Sequence, residues 1–125
     1  MLIIGVWAAR MCFVLIIAFL AFFSFIGPES EVDVRSVIPW DKARHVAAYF
    51  SLTLVGLLAF PNLSLITLSG GALIGSAIIE VTQPAVGRTF DLDDVLANGF
   101  GILAVAACVL LSNFRETVRA KRRKV

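Results

Sequence analysis

Between Ile78 and Gly101 the chain reads IIEVTQPAVGRTFDLDDVLANGFG, which places Glu80, Arg88, Asp91, Asp93 and Asp94 between two long apolar runs. Gly87, lacking a side chain, permits an unusual backbone turn just before Arg88. Asp91, ahead of Leu92, Asp93 and Asp94, is a natural N-cap, and carboxylates near a helix N-terminus are favoured by the helix dipole. The stretch reads as two apolar helices joined by a charged loop. Fold and function both turn on why the charge is concentrated there.

The rest of the chain is dominated by apolar residues. It is 59% hydrophobic with only 16% charged residues, and its mean hydropathy is +0.92. Such a composition points away from a soluble globule and toward a single polytopic membrane domain. A spanning helix needs roughly 20 mostly apolar residues, and four segments fit: residues 2–26, 41–60, 63–81 and 94–111. Residues 112–125 form a basic tail. The expected fold is an all-α integral membrane bundle of four transmembrane helices, without room for a soluble catalytic domain. The first segment lacks a small-x-small cleavage pattern at Ser24, Phe25 and Ile26 and reads as a retained helix. Cys12 and Cys108 lie in apolar runs without CxxC or Cys/His spacing, which favours packing over a disulfide or a metal site.

Arg115, Arg119, Lys121, Arg122, Arg123 and Lys124 follow the last apolar run, so the positive-inside rule puts the C-terminus in the cytoplasm, and four spans put the N-terminus there too. Arg10 can snorkel to that face. Pro61 and Asn62 then mark a tight inner turn, and residues 27–40 and 82–93 lie outside. Of the nine acidic residues only Glu116 falls on the inner side. The tail is a topology signal and a contact for anionic inner-leaflet lipid, and a nucleic-acid partner is not expected.

Helical spacing gathers the polar groups into stripes. Asp41, His45 and Tyr49 recur at i, i+4, i+8, drifting only about 40° per step. Ser76, Glu80 and Gln83 occupy i, i+4, i+7, while Asp91, Asp94, Asn98 and Gly101 run at i, i+3, i+7, i+10. Three helices can therefore turn a polar face toward one point. Ionisable groups within a span are costly and normally face a bundle interior or a wet cavity, although hydrogen bonds between helices at about 1 kcal/mol each would also account for them. Arg88 has two competing roles: a clamp on Glu80 or Asp94, or a contact for an anionic ligand. Trp40 suits an interfacial anchor, and Lys42 and Arg44 can reach headgroup phosphates. Gly70, Gly71, Gly75, Gly99 and Gly101 are expected at close helix contacts. Asp, Glu and His could together hold a metal, but no HExxH or comparable ligand spacing supports one, and neither a metal nor a cofactor is expected.

Three blocks, D-K-x-x-H-x-x-x-Y from Asp41, E-x-x-Q from Glu80 and G-R-x-x-D-x-x-D-x-x-x-N-x-x-G from Gly87, together resemble the VanZ-like family of small bacterial membrane proteins. The match covers about residues 41–105. The resemblance implies a multi-pass protein of the bacterial cytoplasmic (inner) membrane, with family polar positions falling on Asp41, Lys42, His45, Glu80, Gln83, Arg88, Asp94 and Asn98. The family's namesake confers low-level teicoplanin resistance, and its relatives often lie near envelope or polysaccharide genes. No reaction follows from membership.

Two functional expectations result. In one, an outward polar cluster of Asp41, Lys42, His45, Tyr49, Glu80, Gln83, Arg88, Asp91, Asp94 and Asn98 binds or processes an anionic envelope lipid or lipid-linked glycan, with His45, Glu80 and Asp94 as the candidates for proton transfer. In the other, the protein is a non-catalytic accessory or assembly subunit of a larger membrane complex, and the network only fixes its shape. Membrane lipids are partners in both.

Overall fold

The computed structural model describes residues 2–25 and 41–123, where the regular secondary structure is entirely helical. Four helices follow one another: α1 Leu2–Phe25, α2 Asp41–Ala59, α3 Leu65–Thr82 and α4 Leu92–Arg122, with a 3-10 turn Gln83–Val86 between the last two. The expected outer segment 27–40, including Trp40, lies outside the described residues, and so does the side chain of Asp41. Lengths and composition suffice for a membrane crossing in Ile3–Phe25, Leu65–Val86 and Leu92–Arg122. The second helix is the exception among the four expected spans. Asp41, Lys42, Arg44 and His45 occupy four of its first five positions and dilute its hydropathy.

That helix is nevertheless the centre of the bundle, packing on α1, α3 and α4. Tyr49, Leu52, Thr53, Gly56 and Ala59 are its buried positions, a stripe at i, i+3, i+4, i+7, i+10 that follows the helical period. Tyr49 and Leu52 join Ile102 of α4 in a core, against which Phe13, Ile16 and Leu20 of α1 pack. Thr53, fully buried, returns its hydroxyl to the Tyr49 carbonyl at 2.8 Å, so α2 carries a polar atom inward without leaving it unpaired. The opposite surfaces expose large apolar side chains, among them Leu58, Ile66, Phe100 and Leu103. In hydrocarbon such exposure is the solvated state.

Local chemistry fixes the helix ends. Ser64 caps α3 by accepting from the Thr67 N–H at 3.0 Å. Asp91 caps α4 as expected, accepting from the Asp93 N–H at 2.9 Å. Gly87 adopts φ 81°, the left-handed conformation its position calls for, and the Arg88 N–H closes the turn on the Gln83 carbonyl at 3.2 Å. Arg10 donates from Nε to the carbonyl of Ala59 at 3.1 Å, and its guanidinium lies 5.0 Å from the Trp7 ring. Rather than only snorkelling, Arg10 caps the C-terminus of α2, where a carbonyl lacks an intrahelical donor and the helix dipole attracts a cation. The last helix continues through the basic stretch, so most of the expected tail is helical. Its 31 residues span about 46 Å at 1.5 Å per residue.

Glycine positions separate into two groups. A Cβ on Gly101 would lie 2.3 Å from the Val46 carbonyl oxygen and 2.8 Å from the Phe50 nitrogen, so the backbones of α2 and α4 meet there. At Gly56 it would press within 3.0 Å of Leu68 and Phe13 side chains, a contact the sequence reading did not single out. Gly70, Gly71 and Gly75 have nothing within 4 Å, which corrects their expected role in packing within the chain. Cys12 and Cys108 are likewise exposed and free rather than packed in the core. Gly101→Ala is expected to lower the thermal midpoint of the detergent-solubilised protein, by about 1–3 kcal/mol of overpacking or more because the clash is with backbone. Gly71→Ala, which meets open space and gains helix propensity, should not lower it.

Candidate functional site

The polar stripes do converge, at the end of the bundle where the 3-10 turn leads into α4. Lys42, at the start of α2, reaches across to α4 and bonds both Asp91 Oδ2 and Asp94 Oδ1. Asp91 thus serves twice, one oxygen capping its own helix and the other holding Lys42. The Lys42 ammonium, followed by the Asp93 N–H, keeps its carboxyl below the usual aspartate range. That clasp is therefore intact at neutral pH.

One turn deeper, His45 faces α4 with both ring nitrogens. Its Nδ1 lies 3.0 Å from Asn98 Oδ1, and its Nε2 lies 3.4 Å from Asp94 Oδ2. Asn98 is 1% exposed and spends its other end on α3, donating from Nδ2 to Ser76 Oγ at 2.7 Å. With the amide nitrogen directed at Ser76, the Asn98 oxygen is the acceptor for His45, which assigns the proton to Nδ1. Tyr49, one turn below His45, brings its hydroxyl beside the same Ser76. A continuous chain of polar contacts thus runs Asp94, His45, Asn98, Ser76, Tyr49, crossing three helices.

Glu80 completes the cluster from α3. It is 1% exposed, and its Oε2 is buried without a hydrogen-bond partner. Leaving such an oxygen unmet normally costs about 1–3 kcal/mol, more for a charged group. Ligand atoms of Glu80, His45 and Asp94 all lie within 4.8 Å of one another. Spacing within one helix could not show that the three meet, because each comes from a different helix, although the sequence reading already names His45, Glu80 and Asp94 together as the candidates for proton transfer.

Arg88 stands elsewhere. Its Nη1 donates to the Phe23 carbonyl in the last turn of α1 at 3.0 Å, so its described partner is neither Glu80 nor Asp94 but a backbone oxygen. Gln83, 4% exposed, is buried at the start of the 3-10 turn, and its backbone carbonyl accepts from Arg88. Asp93 is exposed. Lys42, His45, Tyr49, Glu80, Asp94 and Asn98 are therefore brought together, Asp91 and Arg88 stand at the rim, and Asp41 heads the same helix with its side chain outside the described residues.

A helical bundle with lipid-compatible surfaces and ionisable groups gathered inside one end defines a polytopic membrane protein with a polar cluster at one end of its bundle. The VanZ/LLP1 family model matches residues 5–113, and the chain belongs to that family. Comparison with curated proteins and with solved structures returned no match.

Asn98 holds two helices at once, so Asn98→Ala should strand His45 Nδ1 and the Ser76 hydroxyl and destabilise the bundle by about 1–3 kcal/mol. Thr82→Val removes an exposed hydroxyl bonded only within its own helix, to the carbonyls of Ile78 and Ile79, and should stay within about 0.5 kcal/mol of wild type. Thermal unfolding of the two variants in the same detergent measures the difference.

Proposed function

We propose that this VanZ-family membrane protein binds the anionic headgroup of an envelope lipid or lipid-linked glycan at the polar end of its bundle. The observation that carries the reading is the buried, cross-linked constellation of His45, Glu80, Asp94, Asn98 and Ser76 beneath a rim that carries Lys42 and Arg88. Lys42 and Arg88 are the groups that would meet a phosphate, Asp41, Tyr49, Gln83, Asp91 and Asn98 would supply hydrogen bonds to headgroup or sugar, and His45, Glu80 and Asp94 are the candidates for moving a proton. Basic residues from Arg115 onward on the far end of α4 support an orientation with both termini in the cytoplasm and the cluster facing outward from the bacterial inner membrane. A role in resisting glycopeptide antibiotics would act through that same outward site.

A second reading rests on a specific feature: Lys42 is already held by two carboxylates and Arg88 by a carbonyl, an arrangement that also suits an accessory subunit whose network only sets its shape. Gentle solubilisation from native membranes followed by mass spectrometry separates the two. Wild type is expected to retain a particular anionic lipid or glycolipid that Arg88→Ala and Lys42→Ala, at matched abundance, lose. Identical lipid profiles in all three, with a stoichiometric protein partner retained throughout, would overturn headgroup binding in favour of the subunit reading.

A further inference from the structure

The geometry points to a divalent-cation site formed by His45 Nε2, Glu80 and Asp94, taking an ion of the Zn2+ or Mn2+ type. The lone pairs of the cluster carry the argument. Asn98 Oδ1, 3.0 Å from His45 Nδ1, holds the ring proton on that nitrogen and leaves Nε2 as an acceptor. That acceptor faces another, Asp94 Oδ2, at 3.4 Å. Two acceptors at such a separation need something positive between them. A proton on Nε2 would satisfy Asp94 alone, whereas Glu80 Oε2, on a side chain 99% buried by its 1% exposure, would still lack a partner. A cation at the centre of the three groups satisfies all of them together.

The donor chemistry selects the ion class. One imidazole and two carboxylates suit first-row divalent metals, since imidazole is a poor ligand for Mg2+ or Ca2+ and no thiolate is present in the triad. Two carboxylates neutralise a divalent charge, which removes the cost of burying them side by side. On bonds of about 2.1 Å, ligand atoms around a tetrahedral ion stand about 3.4 Å apart, the separation already present between His45 Nε2 and Asp94 Oδ2 at 3.4 Å. The wider separations within the triad, up to 4.8 Å, close when the Glu80 carboxylate turns inward. The surrounding contacts fit the role as well. A metal-bound histidine usually donates its other N–H to an oxygen acceptor that fixes ring and tautomer, and Asn98 does this here, itself held by Ser76 at 2.7 Å. Lys42 bonds Asp94 through Oδ1, leaving Oδ2 directed at the site. The site is not sealed: the His45 side chain retains 22% exposure and that of Asp94 13%, so a coordination position can open toward the rim.

This inference stands on the triad and holds whether or not a lipid headgroup binds, but it changes what such a headgroup would meet. The carboxylates of Asp91, Asp94 and Glu80 exceed in number Lys42, which bonds the first two, and Arg88 at the rim, so two cations face three acidic groups. A bound divalent ion reverses that sign and offers phosphate an inner-sphere ligand position.

Metal alone tests it. The full chain, purified in detergent and stripped with a chelator, is titrated with Zn2+ or Mn2+ and its metal content measured after desalting. Wild type should retain one ion per chain, Glu80→Gln should bind more than about tenfold more weakly, and Asp93→Asn, which removes an exposed carboxylate outside the triad, should match wild type. Pulsed electron paramagnetic resonance of Mn2+ on wild type should show coupling to an imidazole nitrogen, a readout that decides the matter even if Glu80→Gln does not fold. Absence of stoichiometric uptake by folded wild type, undiminished uptake by Glu80→Gln, or bound Mn2+ without nitrogen coupling would each overturn the site. Because no lipid is added, that failure is distinct from failure of headgroup binding.

Discussion

At Gly101 the backbone of α4 comes so close to Val46 and Phe50 of α2 that no side chain fits between them. In a bilayer, helices gain little from hiding apolar surface from one another, because lipid is as apolar as leucine; close packing and hydrogen bonds between helices must hold them. The approach at Gly101 provides the first and makes the second possible. His45 and Tyr49 flank Val46 on α2, and Asn98 precedes Gly101 by one turn on α4. Side chains as short as asparagine and serine span three helices only because the backbones stand so near.

Polar groups in a spanning segment demand partners, and this chain finds them in three ways. Thr53 turns to its own helix, Asn98 bridges two others, and Arg10 and Arg88 each donate to a carbonyl near the C-terminus of a neighbouring helix. The two arginines bind in opposite senses along α1: Arg10 reaches out from it to α2, while Arg88 reaches in from the turn before α4. Among its described residues α1 has none that is fully buried, so these two polar ties supplement an apolar contact made through Phe13, Ile16 and Leu20. Glu80 Oε2 alone among the cluster's buried side-chain atoms stands without a partner, which is why it bears on function more than any satisfied neighbour.

Helix content, the membrane setting and the polar faces were legible in the sequence because each is written in local order: apolar length, a cap at Asp91, and spacings of three and four. The stripe of His45 and Tyr49, and that of Asp94, Asn98 and Gly101, pointed to the faces that meet. Which groups touch across helices was not legible, since that depends on register and rotation. Arg88 looked equally suited to a carboxylate and a phosphate, and its carbonyl partner on α1 lies 65 residues away. Glycines mislead for a related reason. Gly70, Gly71 and Gly75 share the composition of a packing face, yet α3 turns them away from its neighbours, while Gly56, alone in its helix, sits at a crowded crossing. The second helix is more polar at its start than a lipid-facing span because Lys42 and His45 there bond α4 and its cap instead of facing lipid. Its charge is a record of burial.

The reach of α4 has a further consequence. From Asp94 to Arg115, the first basic residue beyond the apolar stretch, the helix advances 21 positions, or about 32 Å, close to the roughly 30 Å of a bilayer's hydrocarbon core. Its two charged ends therefore register the protein against membrane thickness. A thicker bilayer would draw the carboxylate end toward hydrocarbon, and a thinner one would tilt the helix or lift that end into the headgroups. On that registration the same chain would present a wetter or drier cluster in membranes of different thickness.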